Sequence, residues 1–122
     1  MNEYIMKKFR FLVDRYKMEF LHQIFEKDVT EKFYGPMNAY SYYNNNGCFT
    51  IYHAVQRNEL YFYYSKEISD IQVNLLYTEI NINDIICNKN IFISNRNILD
   101  LLSNYIKEQI ETKGNFFNIS VK

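Results

Sequence analysis

Residues 33–64 read FYGPMNAYSYYNNNGCFTIYHAVQRNELYFYY, and the interpretation of this stretch decides the fold. It holds half of the chain's aromatic residues, the only proline and two of the three glycines, yet Arg57 and Glu59 are its only charges. Gly35-Pro36 punctuates its start, because proline fixes its own φ and pushes the residue before it away from helix. Asn44-Asn45-Asn46-Gly47 is the strongest turn signal in the chain: Asn and Gly tolerate the positive φ of tight hairpins, and Asn-Gly is the favoured pair. Strands are therefore expected over 38–43, over 48–57 and, after a short turn at Asn58-Glu59, over 60–65. Period-two alternation places Phe49, Ile51, His53 and Val55 on one face and Cys48, Thr50, Tyr52, Ala54 and Gln56 on the other. Leu60, Phe62 and Tyr64 alternate with Tyr61 and Tyr63 in the same way. The apolar face is expected to pack on helices, and the tyrosine-rich face to meet solvent.

Helices are expected on both sides of this meander. Over 3–17, with Asn2 as N-cap, Ile5, Phe9, Leu12, Val13 and Tyr16 recur at helical spacing, whereas Phe11 falls off the stripe. A strand is expected over 19–26 and a charged connector over 27–32. Residues 67–90 fit two periods. Ser69-Asp70-Ile71-Gln72 resembles a capping box and suggests a short helix over 70–79, yet Ile71, Val73, Leu75 and Tyr77 alternate as a strand would. Extended or irregular chain is expected over 80–87 and a short strand over 91–94. A second helix is expected to begin at Asn97, carry a stripe of Ile98, Leu101, Leu102, Tyr105, Ile106 and Ile110, and stop at Gly114. A closing strand is expected over 116–121. The sum is a single α+β domain over 1–122: an antiparallel sheet built on a Tyr-rich meander, packed against an N-terminal and a C-terminal helix.

Composition narrows the function classes. A chain of 122 residues can bury roughly two-thirds of the surface its unfolded form exposes, enough for a core without metal or disulfide. Fourteen basic and fourteen acidic residues give zero formal charge. That balance argues against a general nucleic-acid binder, whose affinity comes largely from phosphate neutralisation. Asn2, Glu3, Lys7 and Lys8 interrupt the N-terminus and no long apolar run follows, so no signal peptide is expected, and nothing approaches the ~20 apolar residues of a membrane span. A cytoplasmic protein is expected. Cys48 and Cys87 lack CxxC spacing and are expected to be two reduced thiols.

Candidate chemistry is sparse. His22 and His53 could serve as the acid/base pair of a small metal-independent ribonuclease, with Lys66 or Arg57 stabilising charge. His53, however, alternates with Phe49, Ile51 and Val55, which favours a place at the core. Two distant histidines and two distant cysteines do not make a metal site, no cofactor motif occurs, and a Cys48 nucleophile has no partner in the sequence. Tyr40, Tyr42, Tyr52, Tyr61 and Tyr63 could stack bases, but Arg57 is the meander's only cation. Protein recognition suits the tyrosines better, since they offer large contact area at low entropic cost. From Glu67 to Asn95 the net charge is −3, with Glu67, Asp70, Glu79 and Asp84 against Lys89; such a patch would complement a basic partner. The expected partner surface is Tyr42, Asn45, Asn46, Tyr52, Tyr61, Tyr63, Glu67, Asp70, Glu79 and Asp84.

With FRFLVDRY in its first helix, NAYSYYNNNGCFTIYHAVQR in its meander and a late amphipathic helix, the chain resembles bacterial immunity proteins of contact-dependent or polymorphic toxin systems. The resemblance spans the whole length and is one of size and style. It implies a stoichiometric inhibitor that covers a cognate toxin domain, in many cases a nuclease with a basic cleft, and it transfers no functional residue. The alternatives are the ribonuclease-like enzyme and a structural or regulatory module that dimerises through its tyrosine face, so that both monomer and homodimer stay open.

Overall fold

A computed structural model describes residues 1–26, 36–66, 78–85 and 94–121. In chain order the elements are α1 (Asn2–Asp14), β1 (Glu19–Phe25), β2 (Met37–Asn44), β3 (Gly47–Ala54), β4 (Glu59–Ser65), β5 (Thr78–Glu79), α2 (Ile82–Ile85), α3 (Asn95–Lys113), β6 (Asn115–Phe116) and β7 (Ile119–Ser120). Strands β1 to β5 form one antiparallel sheet in sequential order, and β6 pairs with β7 in a separate hairpin. The fold is α+β, as the alternation in the meander and the helical stripes on either side of it require.

The β2–β3 turn sets which side chains share a face. Asn45 and Asn46 form a two-residue loop, so that Asn44 lies opposite Gly47, Tyr42 opposite Phe49 and Tyr40 opposite Ile51. The next strand continues each row, with Phe49 opposite Tyr64 and Ile51 opposite Phe62. Tyr42 therefore belongs to the helix-facing side and is fully buried against Phe9 and Phe20 (ring centroids 6.1 and 5.0 Å). This overturns its expected place on the open face. Alternation within β2 was legible, but its phase relative to β3 depends on the number of loop residues.

The helix-facing side carries the larger core. Ile5, Phe9 and Leu12 of α1 and Leu99, Leu102, Ile106 and Ile110 of α3 close over Tyr40, Tyr42, Phe49, Ile51 and Phe62. Tyr4 reaches Asp100 and Lys107 lies over the Phe11 ring, so the two helices run side by side in the same direction. Phe11, off the predicted stripe, is half-buried at the edge of this layer. The β6–β7 hairpin adds Phe116 and Ile119, both fully buried, and Phe117 stacks on Phe49. Burying a ring of this size stabilises by about 1.5–3 kcal/mol relative to leaving it exposed.

The opposite face is not the solvated surface expected of it. Met37, Ala39, Cys48, Tyr52, Ala54 and Tyr63 form a second buried cluster, and every residue of β3 is buried. Tyr52 and Tyr63 pack edge to face at 5.4 Å. Ser41 and Thr50 satisfy one another across the strands at 2.9 Å, and Cys48 Sγ lies 3.4 Å from the Thr50 hydroxyl. Paired hydroxyls let a polar-looking row go inside at little cost.

Element ends show smaller differences. α1 is capped by Met1, without a side-chain bond, rather than by Asn2. Ser94, not Asn97, caps α3: its hydroxyl accepts the Asn97 amide at 3.2 Å, and Leu99 joins the buried stripe while Leu101 stays exposed. β3 ends at Ala54, and a four-residue turn over 55–58 leaves Val55 exposed, against its expected burial. The closing segment is a hairpin whose turn residues Phe117 and Asn118 both take positive φ (47° and 63°). Of the helix expected over 70–79, residues 70–77 lie outside the described residues; Thr78 and Glu79 pair with Tyr64 and Tyr63 as strand. Ile82–Ile85 is a single helical turn where extended or irregular chain was expected, opened by Asn81, whose side chain accepts the Asn83 amide. The connector over 27–32, the strand expected over 91–93 and Cys87 also lie outside the described residues.

Candidate partner-binding groove

Only part of the expected partner surface assembles. Tyr42, Tyr52 and Tyr63 are buried, and burial pushes the Tyr42 and Tyr52 phenols above their ordinary pKa. They are structural residues, not contact residues. At the hairpin tip Asn45 is exposed, but Asn46 donates its side-chain amide to the Ser120 carbonyl at 3.0 Å, as Asn44 does at 2.8 Å, and so fastens the C-terminal hairpin. Glu67 and Asp70 lie outside the described residues.

Of the remaining three, Tyr61 and Glu79 line one groove beside the β4–β5 edge. Leu60, Tyr61 and Phe62 from β4, with residues 79–82, line a groove of about 420 Å³. Strand alternation turns Phe62 into the helix-facing core and leaves Tyr61 half-exposed on the other side. Glu79 is exposed on the groove wall, opposite Tyr63 in register. Asp84 is exposed one turn beyond, its amide donating to the Asn81 carbonyl. Glu59 completes the group: it is exposed, and its carboxylate accepts the Tyr61 hydroxyl. Nothing in the sequence singled out Glu59, which enters only because β4 begins there and aims it along Tyr61. The groove thus has an apolar and aromatic floor with the Glu79 carboxylate on its wall.

A second groove of about 520 Å³ runs between α1 and β1–β2, floored by Met6, Val13, Phe20 and Tyr42. Its rim alternates Glu3 and Asp14 with Lys7 and Arg10, and Arg10 pairs with Asp14 at 3.1 Å, so it favours neither sign of charge.

The two histidines share the helix-facing side of the sheet at the end away from the Asn45-Asn46 turn. His22 lies opposite Tyr40 and stacks on it at 4.6 Å, while His53 lies opposite Asn38 and Leu60. His53 is 8% exposed, in keeping with the core position expected for it. Among the described residues no three His, Cys, Asp or Glu side chains gather as a metal site, and no helix is long and apolar enough to cross a membrane. No family model, curated protein or solved structure matches the chain.

Proposed function

We propose that the protein is an inhibitor of the immunity type, which binds a cognate bacterial toxin domain and covers it through the acidic groove beside β4 and β5. The observation that carries this reading is the exposed Glu79 in a groove lined by Tyr61, whose hydroxyl donates to the exposed Glu59 carboxylate. Carboxylates around an aromatic floor suit a basic partner surface such as a nuclease cleft, where charge steers encounter and the ring supplies contact area. A toxin of this kind is encoded beside its inhibitor, and a cytoplasmic inhibitor meets it where it would act. The test is to express the neighbouring gene product and measure its complex with this chain by calorimetry. A tight 1:1 complex is expected, weakened at least about tenfold by Glu79→Lys combined with Glu59→Lys, with a reduced dependence on salt. A neighbouring product that neither binds nor poisons cells lacking this protein would refute the reading.

A further inference from the structure

The two edges of the five-stranded sheet differ. Among the described residues β5 is two residues long, both exposed, and one is Glu79. β1 runs for seven residues, EFLHQIF, with no lysine, arginine, proline or glycine and a single charge at its first position, Glu19. Its register with β2 is unbroken, so no bulge turns it aside. Open edges of monomeric proteins are ordinarily short, charged, bulged or broken by proline, and β1 is none of these. The direction of its backbone groups follows from the β2–β3 turn. A two-residue loop closes on a hydrogen-bonded pair, here Asn44 with Gly47, so even-numbered residues of β2 face β3 and odd-numbered ones face β1. The Val55 amide donates to the Pro36 carbonyl at 3.1 Å, which keeps the same parity. In β1, Glu19, Leu21, Gln23 and Phe25 therefore bond to β2, while Phe20, His22 and Ile24 point N–H and C=O away from the sheet. Those outward groups have no hydrogen-bond partner among the described residues. Ile24 is also 66% exposed, the most open of the large apolar residues.

We infer that β1 is the interface of a symmetric homodimer, in which it pairs antiparallel with β1 of a second copy and joins two five-stranded sheets into one. Only the register that sets His22 opposite His22 of the second copy places all the outward residues in hydrogen-bonded pairs. Phe20 then lies opposite Ile24 on either side of the dyad, and each pair exchanges two backbone bonds. The side chains match in that register. Phe20 and Ile24 both lie on the helix-facing side, in the rows of Tyr42 and Asn38. Phe20 also floors the groove of about 520 Å³ beside α1, where Met6 is 39% exposed. Pairing sets Ile24 of the second copy against Phe20 at the edge of this groove, and the dyad repeats the contact in reverse. The groove's rim carries Glu3 and Asp14 with Lys7 and Arg10, both signs together, as suits a surface that meets its own copy; a single sign would repel itself. On the other face Leu21 meets Gln23 and Glu19 meets Phe25, so no like charges stand opposite one another. The twofold consumes the long edge of both copies and leaves only β5 at the ends, so the assembly closes at two. The groove holding Tyr61 and Glu79 lies at the far edge of the sheet and stays open, so dimerisation and the proposed inhibition are independent.

Sedimentation velocity on the full chain, from ~5 μM to ~0.5 mM, a range covering weak association, is expected to show a monomer–dimer equilibrium. Amide hydrogen exchange at the two ends of that range reads the register. Leu21 and Gln23, bonded to β2, should be slow at both. Phe20, His22 and Ile24 should exchange freely when dilute and at least about tenfold more slowly once the dimer dominates. Ile24→Pro removes an outward N–H and no bond to β2, a position where an edge strand accepts proline. Two donors are lost per dimer, so it should weaken association at least about tenfold. Ile24→Lys, which sets a charge against Phe20 of the second copy, should do the same. Both variants should keep the urea midpoint of the dilute parent. A chain that stays monomeric to ~0.5 mM, or an assembly larger than two copies, would overturn the inference. So would a dimer whose Phe20, His22 and Ile24 amides exchange as fast as in the monomer, since its contact would then lie on another face, such as that of Tyr61.

Discussion

Replacing Gly47 with alanine tests the packing of the hairpin tip against the C-terminal hairpin. A Cβ added at Gly47 would lie 2.7 Å from the Ser65 carbonyl oxygen and 2.8 Å from Ile119 Cγ1. Ordinary carbon contacts are about 3.5–4.0 Å, so each neighbour must retreat by the better part of an ångström. Ser65 is paired with Cys48 in the β3–β4 ladder and has little freedom to move. Ile119 can give way only if the β6–β7 hairpin lifts, and that hairpin is fastened where Asn44 and Asn46 both donate to the Ser120 carbonyl. Overpacking of a filled site costs about 1–3 kcal/mol, and weakening these two bonds adds about 1 kcal/mol. Gly47→Ala should therefore destabilise by about 2–4 kcal/mol, read as a lowered urea midpoint with unchanged slope. Asn45→Ala, at an exposed turn position, is the control and should stay within about 0.5 kcal/mol. In an Ile119→Ala background one of the two collisions is gone, and the cost of Gly47→Ala should fall by about 1 kcal/mol. A Gly47→Ala protein within 0.5 kcal/mol (about the noise of a neutral surface change) of the parent, or a cost indifferent to Ile119, would refute the reasoning.

Three further outcomes are expected. Tyr40→Phe removes a buried hydroxyl that lacks a partner and should raise stability by about 1 kcal/mol in urea titrations; a loss would show that the hydroxyl is satisfied. Burial raises the Tyr40 phenol to about 12 and lifts Tyr42 and Tyr52 as well. Because these folded-state values exceed the unfolded ones, their contribution is complete below the unfolded phenol pKa of about 10 and is lost as pH rises toward 12 and beyond. Alkaline unfolding should accordingly coincide with the part of the tyrosinate absorbance that these three buried phenols contribute. Asp100 is held below its ordinary pKa first by the Tyr4 hydroxyl and then by Lys8, at 3.0 Å. Its contribution is present above the ordinary carboxyl pKa and lost as pH falls through the folded value, so Asp100→Asn should flatten the acid limb of the stability curve, and added salt should shrink the difference.

The architecture was legible because local signals agreed. Period-two alternation in the meander, helical spacing from Ile5 to Leu12 and from Ile98 to Ile110, and Gly114 at the left-handed C-cap (φ 74°) each followed from single residues and their neighbours. Even the turn residues were found, though for a partly different reason. Asn45 and Asn46 do not take positive φ; the Asn44 side chain accepts the Asn46 amide at 2.7 Å, and glycine is needed at 47 to make room for Ser65 and Ile119. That requirement comes from residues far along the chain and is invisible locally.

The candidate site was less legible, because burial is a property of the neighbourhood. Tyr42, Tyr52 and Tyr61 look alike in sequence, yet one packs under α1, one lies in the second cluster and one stays half-exposed beside Glu59. A phenol tolerates either environment when its ring is packed, so composition does not choose between them. His22 and His53, thirty-one residues apart, share a face only because β1, β2 and β3 pair in sequence with that register. The sequence by itself determined the two long helices, the strands β1 to β4 and their order, through propensity and period. Only the tertiary structure decided which faces are closed and which side chains meet, since the phase of each strand and the cover over each face depend on turns and contacts between distant residues.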